Sequence, residues 1–114
     1  MTCVFCEIAS GAAPATFIRE WRDAFAIVPL DPVAPGHVLV IPREHVADIA
    51  EDQFVSGATM QRAAELADEV GDCNVITSRG RAATQTVFHL HLHVVPRTAG
   101  DGLTLPWTGQ ARTS

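Results

Sequence analysis

The sequence predicts an α+β domain, in which an antiparallel β-sheet of about five strands is combined with one long helix and a short N-terminal helix. Two observations carry this prediction. Short apolar segments with the character of β-strands stand on both sides of a single long amphipathic segment, an order typical of sheets that segregate their helices. The chain has 114 residues, enough for one domain with a real core and too few for two. Residues 1–114 are therefore treated as a single domain.

The N-terminal half contains a short helix and three of the predicted strands. Residues 3–10 have the pattern of a short helix or turn. The apolar segments at 16–20 and 24–28 lie close enough along the chain to form a hairpin. Residues 29–36 contain three prolines and a glycine, which predicts a rigid loop. Residues 37–42 form a nearly continuous aliphatic run, typical of a buried central strand.

The C-terminal half begins with the long helix. Residues 48–70 are rich in Ala, Glu, Gln and Leu with helical periodicity, and a short strand is predicted at 73–77. A loop at 78–84 leads to a strand that begins at about residue 85 and ends near residue 97. Residues 98–114 show no regular pattern, so we expect an irregular tail.

Composition restricts the classes of partner. Net charge is −5 and no run of Lys or Arg stands out, which disfavours a DNA or RNA partner. No apolar run is long enough to span a membrane, and the N-terminus lacks the pattern of a signal peptide. Three cysteines, Cys3, Cys6 and Cys73, form no disulfide framework, which favours a reducing, cytoplasmic location. Cys73 is expected to be a buried core residue.

Three of the five histidines, His89, His91 and His93, alternate with apolar residues. On a strand, alternate side chains share a face, so the three imidazoles would line one face while Phe88 and Leu90 lie on the other. Three chemistries suit such a row: a catalytic metal site, nucleophilic attack by a neutral imidazole, and proton transfer by a neighbour whose ordinary pKa is near 6.5. The alternative is a strand whose solvent-facing residues happen to be histidines.

Four sequence blocks resemble those of the histidine triad (HIT) family. His-Leu-His-Leu-His-Val-Val at residues 89–95 resembles its His-x-His-x-His signature, where x is hydrophobic. Residues 3–8 resemble the Cys-x-x-Cys opening of one branch, and residues 34–45 resemble the Pro-Gly-His…Ile-Pro-basic-x-His strand. Residues 85–88 resemble the Gln-Ser/Thr-Val-aromatic lead into the triad. The blocks occur in the right order and cover nearly the whole chain.

The resemblance implies a hydrolase with a covalent intermediate. His91 would attack the α-phosphorus of a nucleoside phosphoramidate or a (di)nucleoside polyphosphate, and water would then release a nucleoside monophosphate, preferably a purine nucleotide. His89, His93 and His37 would complete the catalytic group. The implied substrate contacts are Phe5, Ile8, Ile27, Ser78, Thr84, Gln85 and Thr86.

The resemblance also implies a structural zinc site and no cofactor for catalysis. Two thiolates two residues apart can reach one tetrahedral metal. The implied ligands are Cys3, Cys6, His45 and His89, and four protein ligands would leave no open position for catalysis.

Some features keep other functions open. Pro29 stands where many members have an acidic residue for the ribose, Ser78 replaces a frequent Asn, and Thr84 stands where Gly is common. These departures leave a non-catalytic nucleotide- or zinc-binding protein as an alternative. A nucleotidyl transferase is another, since the resembled family includes transferases, but these usually carry Gln where this chain has His93, which favours hydrolysis. Members are commonly homodimers, and the apolar residues considered for such an interface are Phe54, Val55, Met60 and Leu66.

Overall fold

A computed structural model describes residues 2–108 of the chain. The elements in chain order are α1 (Val4–Ser10), β1 (Phe17–Glu20), β2 (Ala24–Ile27), β3 (Val38–Pro42), α2 (Gln53–Val70), β4 (Cys73–Ile76) and β5 (Leu92–Pro96), with one 3₁₀ turn at Arg81–Ala83. The strands form one antiparallel sheet in the order β1-β2-β3-β5-β4. The predicted α+β architecture is confirmed.

The sheet has an apolar core on each face, because successive side chains of its central strands point in opposite directions. On β3, Val38 and Val40 pack with α2, while Leu39 and Ile41 pack with α1. The α2 side includes Ala63, Leu66, Leu90, Leu92 and Val94, and the α1 side includes Phe5, Ile8, Phe25 and Ile27. The short helix is thereby held against the face of the sheet opposite the long one.

The long helix begins at Gln53, so the predicted start at residue 48 was wrong. Asp52 is the N-cap, since its carboxylate accepts hydrogen bonds from the backbone N–H groups of Phe54 and Val55. Just upstream, Asp48 accepts from the N–H of Ala50 in a local turn, which competes with the helical pattern.

The apolar residues of α2 divide between the core and the surface. Leu66 is buried and Val55 packs against the core, so these two do not form an exposed patch. Phe54 is 82% exposed and Met60 43% exposed. Of the set considered for a dimer interface, only this pair remains available on the surface of the monomer.

The histidine strand is shorter than predicted, since β5 begins at Leu92 instead of residue 85. The preceding backbone is held by other bonds: the N–H of Leu90 donates to the carbonyl of Val46, and the side chain of Gln85 bonds to the backbone around it. The alternation of the pattern persists, because Leu90 and Leu92 are buried in the core. Phe88, expected on the apolar face, is 40% exposed.

Two further expectations concern Cys73 and the tail. Cys73, expected to be a buried core residue, is only partly buried. It is the first residue of the edge strand β4 and packs against the core. Residues 98–108 contain no helix or strand, while 109–114 of the predicted irregular tail lie outside the described residues. Within residues 2–108, no helix combines the length and apolar character required to cross a membrane.

Candidate functional site

A cavity of about 640 Å³ lies between α1, the end of the β1–β2 hairpin and the segment that carries the histidines. Its apolar wall includes Phe5, Ile8 and Ile27, the three apolar residues among the implied substrate contacts. Its polar side chains include those of Thr86, His91 and His93. The structure therefore brings the predicted apolar and histidine groups together around one space.

His91 is oriented by the main chain. Its Nδ1 lies 2.8 Å from the carbonyl oxygen of His89, so a neutral ring carries its proton on Nδ1 and donates it there. Nε2 is then left with a free lone pair on a partly exposed ring that lines the cavity. This is the tautomer that a nitrogen nucleophile requires.

The backbone of His91 is also held from β4. The hydroxyl of Thr77 donates to the carbonyl oxygen of His91 at 2.8 Å. Thr77 was seen in the sequence only as the last residue of a predicted strand. No local signal distinguishes it, because the contact depends on how β4 and β5 pair.

His37 and His93 form a second, directed hydrogen-bond chain. The N–H of Val33 donates to Nδ1 of His37 at 3.1 Å, so a neutral His37 carries its proton on Nε2. That Nε2–H donates to Nδ1 of His93 at 3.0 Å, which places the proton of His93 on its own Nε2. The chain thus presents an N–H donor on a ring that lines the cavity.

Burial keeps these two rings neutral. Desolvation lowers the pKa of His37. Burial, helped by the neighbouring His91 and His37, lowers the pKa of His93 to about 4. At neutral pH both rings are therefore uncharged, and His93 acts as a hydrogen-bond donor.

His89 is not among the residues that line the cavity and lies instead against the two cysteines. Its Nε2 donates to the carbonyl oxygen of Pro42 at 2.8 Å, and burial lowers the pKa of the ring. Nδ1 therefore carries no proton and offers a lone pair. It lies 3.4 Å from Sγ of Cys3 and 3.6 Å from Sγ of Cys6. The three histidines of the signature consequently do not converge on one point, which argues against the three-histidine catalytic metal site.

Cys3, Cys6, His45 and His89, here called the Cys–His cluster, have the geometry of a tetrahedral metal site. Their four ligand atoms lie within 4.8 Å of one another. Nδ1 of His45 is 3.3 Å from Sγ of Cys6 and 3.0 Å from Nδ1 of His89. A tetrahedral zinc with bonds of about 2.0–2.3 Å separates its ligand atoms by about 3.3–3.8 Å, so the residues fit this metal.

The surroundings of the Cys–His cluster also suit a metal. The bond from His89 to Pro42 is the outer-shell hydrogen bond that fixes the tautomer of a ligating histidine. Burial, with a hydrogen bond to Cys3, raises the pKa of the Cys6 thiol, so zinc binding would release a proton from it. A zinc held by these four residues would tie α1 to the segments that carry His45 and His89.

The remaining predicted contacts divide into lining and supporting residues. Thr86 is exposed and lines the cavity, and Pro29 lines it too. Gln85 is 4% exposed and bonds to the main chain of Gly80, Ala47 and Val87, so its observed contacts are structural.

Ser78 and Thr84 lie in the loop between β4 and the histidine segment, and neither is among the residues that line the cavity. Thr84 has a φ of 71°, a left-handed conformation that favours glycine. Glycine would adopt this conformation without the strain that the side chain of Thr84 causes.

Comparison with known proteins agrees with this geometry. The HIT domain family model matches residues 10–100. An uncharacterised HIT-like protein of Mycobacterium tuberculosis is 39% identical over 112 residues, which cover 92% of this chain and 78% of that protein. Adenosine 5′-monophosphoramidase of Saccharomyces cerevisiae is 34% identical over 113 residues, 95% of this chain and 71% of the enzyme. The crystal structure of a zinc-bound histidine triad family protein from Mycobacterium smegmatis superposes with a TM-score of 0.78 at 45% identity, covering 91% of this chain and 81% of that one. This chain belongs to the HIT family.

Proposed function

We propose that this chain is a nucleotide hydrolase in which Nε2 of His91 attacks the α-phosphorus of a nucleoside phosphoramidate or a (di)nucleoside polyphosphate. One observation carries the proposal: the bond from Nδ1 of His91 to the carbonyl of His89 leaves Nε2 as a free nucleophile at the cavity wall. The similarity to a yeast adenosine 5′-monophosphoramidase supports the same chemistry.

The reaction has two balanced steps. Attack forms a P–N bond to His91 and breaks the bond to the leaving group, which takes the electron pair and a proton from water. A water molecule then attacks the same phosphorus and gives its proton to the hydroxide left by the first step. The P–N bond breaks with its electron pair returning to Nε2, which releases the nucleoside monophosphate and regenerates His91. A neutral imidazole suits the attack because it is not repelled by the anionic phosphate.

His93 would serve this reaction as a hydrogen-bond donor. With a pKa of about 4 it is uncharged at neutral pH, so it is poorly suited to be the protonated acid expected from the ordinary pKa of histidine. Its Nε2–H, directed by the chain from Val33 through His37, can instead stabilise negative charge on a phosphate oxygen. Thr86 also lines the cavity, and its hydroxyl would assist by donating to a phosphate oxygen.

The apolar wall supports a purine nucleotide as substrate. Phe5 and Ile8 come from one side of the cavity and Ile27 from another, which suits a flat, largely apolar base.

We also propose a homodimer, because Phe54 and Met60 remain exposed on α2 and would be covered in one.

The test of function uses adenosine 5′-phosphoramidate without added metal. We expect AMP release by the wild type, loss of release in His91→Ala, and a nucleotidyl adduct by mass spectrometry only in wild type quenched with denaturant at alkaline pH, where the P–N bond is stable. Circular dichroism of the variant controls for folding, and AMP affinity controls for an intact cavity. AMP binding without release by the wild type would overturn the hydrolase and favour a nucleotide-binding protein.

A further inference from the structure

We propose that Phe5 is a positioning residue, which couples the filling of the Cys–His cluster by zinc to the orientation of His91. The inference rests on the nucleotide chemistry proposed for His91. The two sites that Phe5 would couple are the Cys–His cluster and the cavity.

Phe5 is packed between the two sites. Its ring centroid is 5.1 Å from that of His91 with an interplanar angle of 72°, and 5.8 Å from that of His89 with an angle of 89°. Both contacts are edge-to-face arrangements, which aromatic rings favour. Phe5 is only 7% exposed, so its ring has little room to move unless α1 moves with it. One side chain therefore touches a cluster ligand and the proposed nucleophile at once.

The cluster controls where Phe5 lies. Phe5 stands in α1 between Cys3 and Cys6, both of which supply ligand atoms to the cluster. This helix has only seven residues and its N-cap Cys3 makes no side-chain capping bond, so it needs outside contacts to stay in place. Ligation of both cysteines would fix the backbone on each side of Phe5.

The cluster also reaches His91 along the main chain. His89 supplies a ligand atom through Nδ1, and its carbonyl oxygen accepts the Nδ1–H of His91 at 2.8 Å. Filling the cluster would thus fix two of the contacts that orient His91: the ring of Phe5 and the carbonyl of His89. Because Phe5 also lines the cavity, a nucleotide bound there would contact the same ring.

Thermodynamic linkage makes the coupling measurable from both sites. If zinc raises the affinity for AMP by a given factor, AMP must raise the affinity for zinc by the same factor. An edge-to-face ring contact would account for about a three- to tenfold factor. We expect a change of this size in the Kd of AMP, measured by calorimetry with zinc-loaded and metal-free protein, and the same change in zinc affinity measured by chelator competition.

A spectroscopic signal separates positioning from a general effect on the fold. Imidazole ¹⁵N NMR of the zinc-loaded protein should show His91 as the Nδ1–H tautomer, and the metal-free protein should show a mixture of tautomers. Identical His91 tautomers in the two forms would overturn the proposal, even if AMP binds to neither. Absence of AMP binding is by itself the failure of the proposed function. A metal-free protein that unfolds by circular dichroism would also overturn a specific role for Phe5.

Matched variants on the same helix complete the test. Phe5→Leu keeps an apolar side chain and removes the ring, so its coupling factor should fall below about twofold, the part left to the carbonyl of His89, while zinc still binds. Ala9→Ser alters a residue of the same helix that packs against the same core and does not line the cavity, and its coupling factor should equal that of the wild type. Phe5→Met serves the same purpose if Phe5→Leu does not fold. Full coupling in a folded Phe5 variant would refute the proposal.

Discussion

Acidification should destabilise the protein through His93. The unfolded chain has an ordinary histidine pKa near 6.5, while burial lowers the pKa of His93 in the folded state to about 4. Between these values the unfolded state binds more protons, so stability is fully present above pH 6.5 and is lost as pH falls toward 4. The full shift corresponds to about 2 kcal/mol between pH 8 and pH 5, and solvent that reaches the partly exposed ring reduces this to roughly 1–2 kcal/mol.

The assay is urea unfolding of the wild type and His93→Asn at pH 8, 7, 6 and 5. Asn removes the titrating group and keeps an oxygen near the position of Nδ1, where it can accept the bond from His37. The other titratable groups are shared by both proteins, so only the difference between the two curves reports on His93. Between pH 8 and pH 5 we expect the free energy of unfolding of the wild type to fall by roughly 1–2 kcal/mol more than that of His93→Asn. Equal losses in both proteins from pH 7 to pH 5 would refute the argument that burial keeps His93 neutral.

Three further predictions concern stability. Thr84→Gly should raise the free energy of unfolding by about 0.5–1 kcal/mol, because Gly adopts the positive φ without strain, and a lower midpoint in urea would contradict this. In thermal melts, zinc at about 100 times its Kd should stabilise the wild type by about 2.7 kcal/mol and leave the stability of Cys6→Ser nearly unchanged. Equal effects of zinc on both proteins would exclude Cys6 as a ligand. Gln85→Leu should cost about 2–4 kcal/mol, because the N–H of Gly80 and the carbonyls of Ala47 and Val87 lose their partner, and a loss below about 1 kcal/mol would show that water replaces those bonds.

Local patterns in the sequence were sufficient for the order and type of the elements, while the candidate site residues came mainly from the resemblance to the HIT family. A continuous aliphatic run at 37–42 marks β3, because a strand covered on both faces needs apolar residues in both directions. Helical periodicity found the long helix but placed its start at residue 48, before the observed start at Gln53, because side-chain bonds of Asp48 and Asp52 decide the boundary. The alternation of residues 88–94 showed that Leu90 and Leu92 face the core, though it overestimated the length of the strand.

The sequence by itself determined the fold class, the histidine signature and the residue types available for chemistry, since these depend on periodicity and on residues near one another in the chain. Only the tertiary structure assigned each histidine its environment. His89 meets Cys3 across 86 positions of the chain, and His37 meets His93 across 56. The physical reason is that a ring's tautomer and pKa depend on which groups the fold places against its two nitrogens, and the pairing of β3 with β5 and the packing of α1 on the sheet decide that.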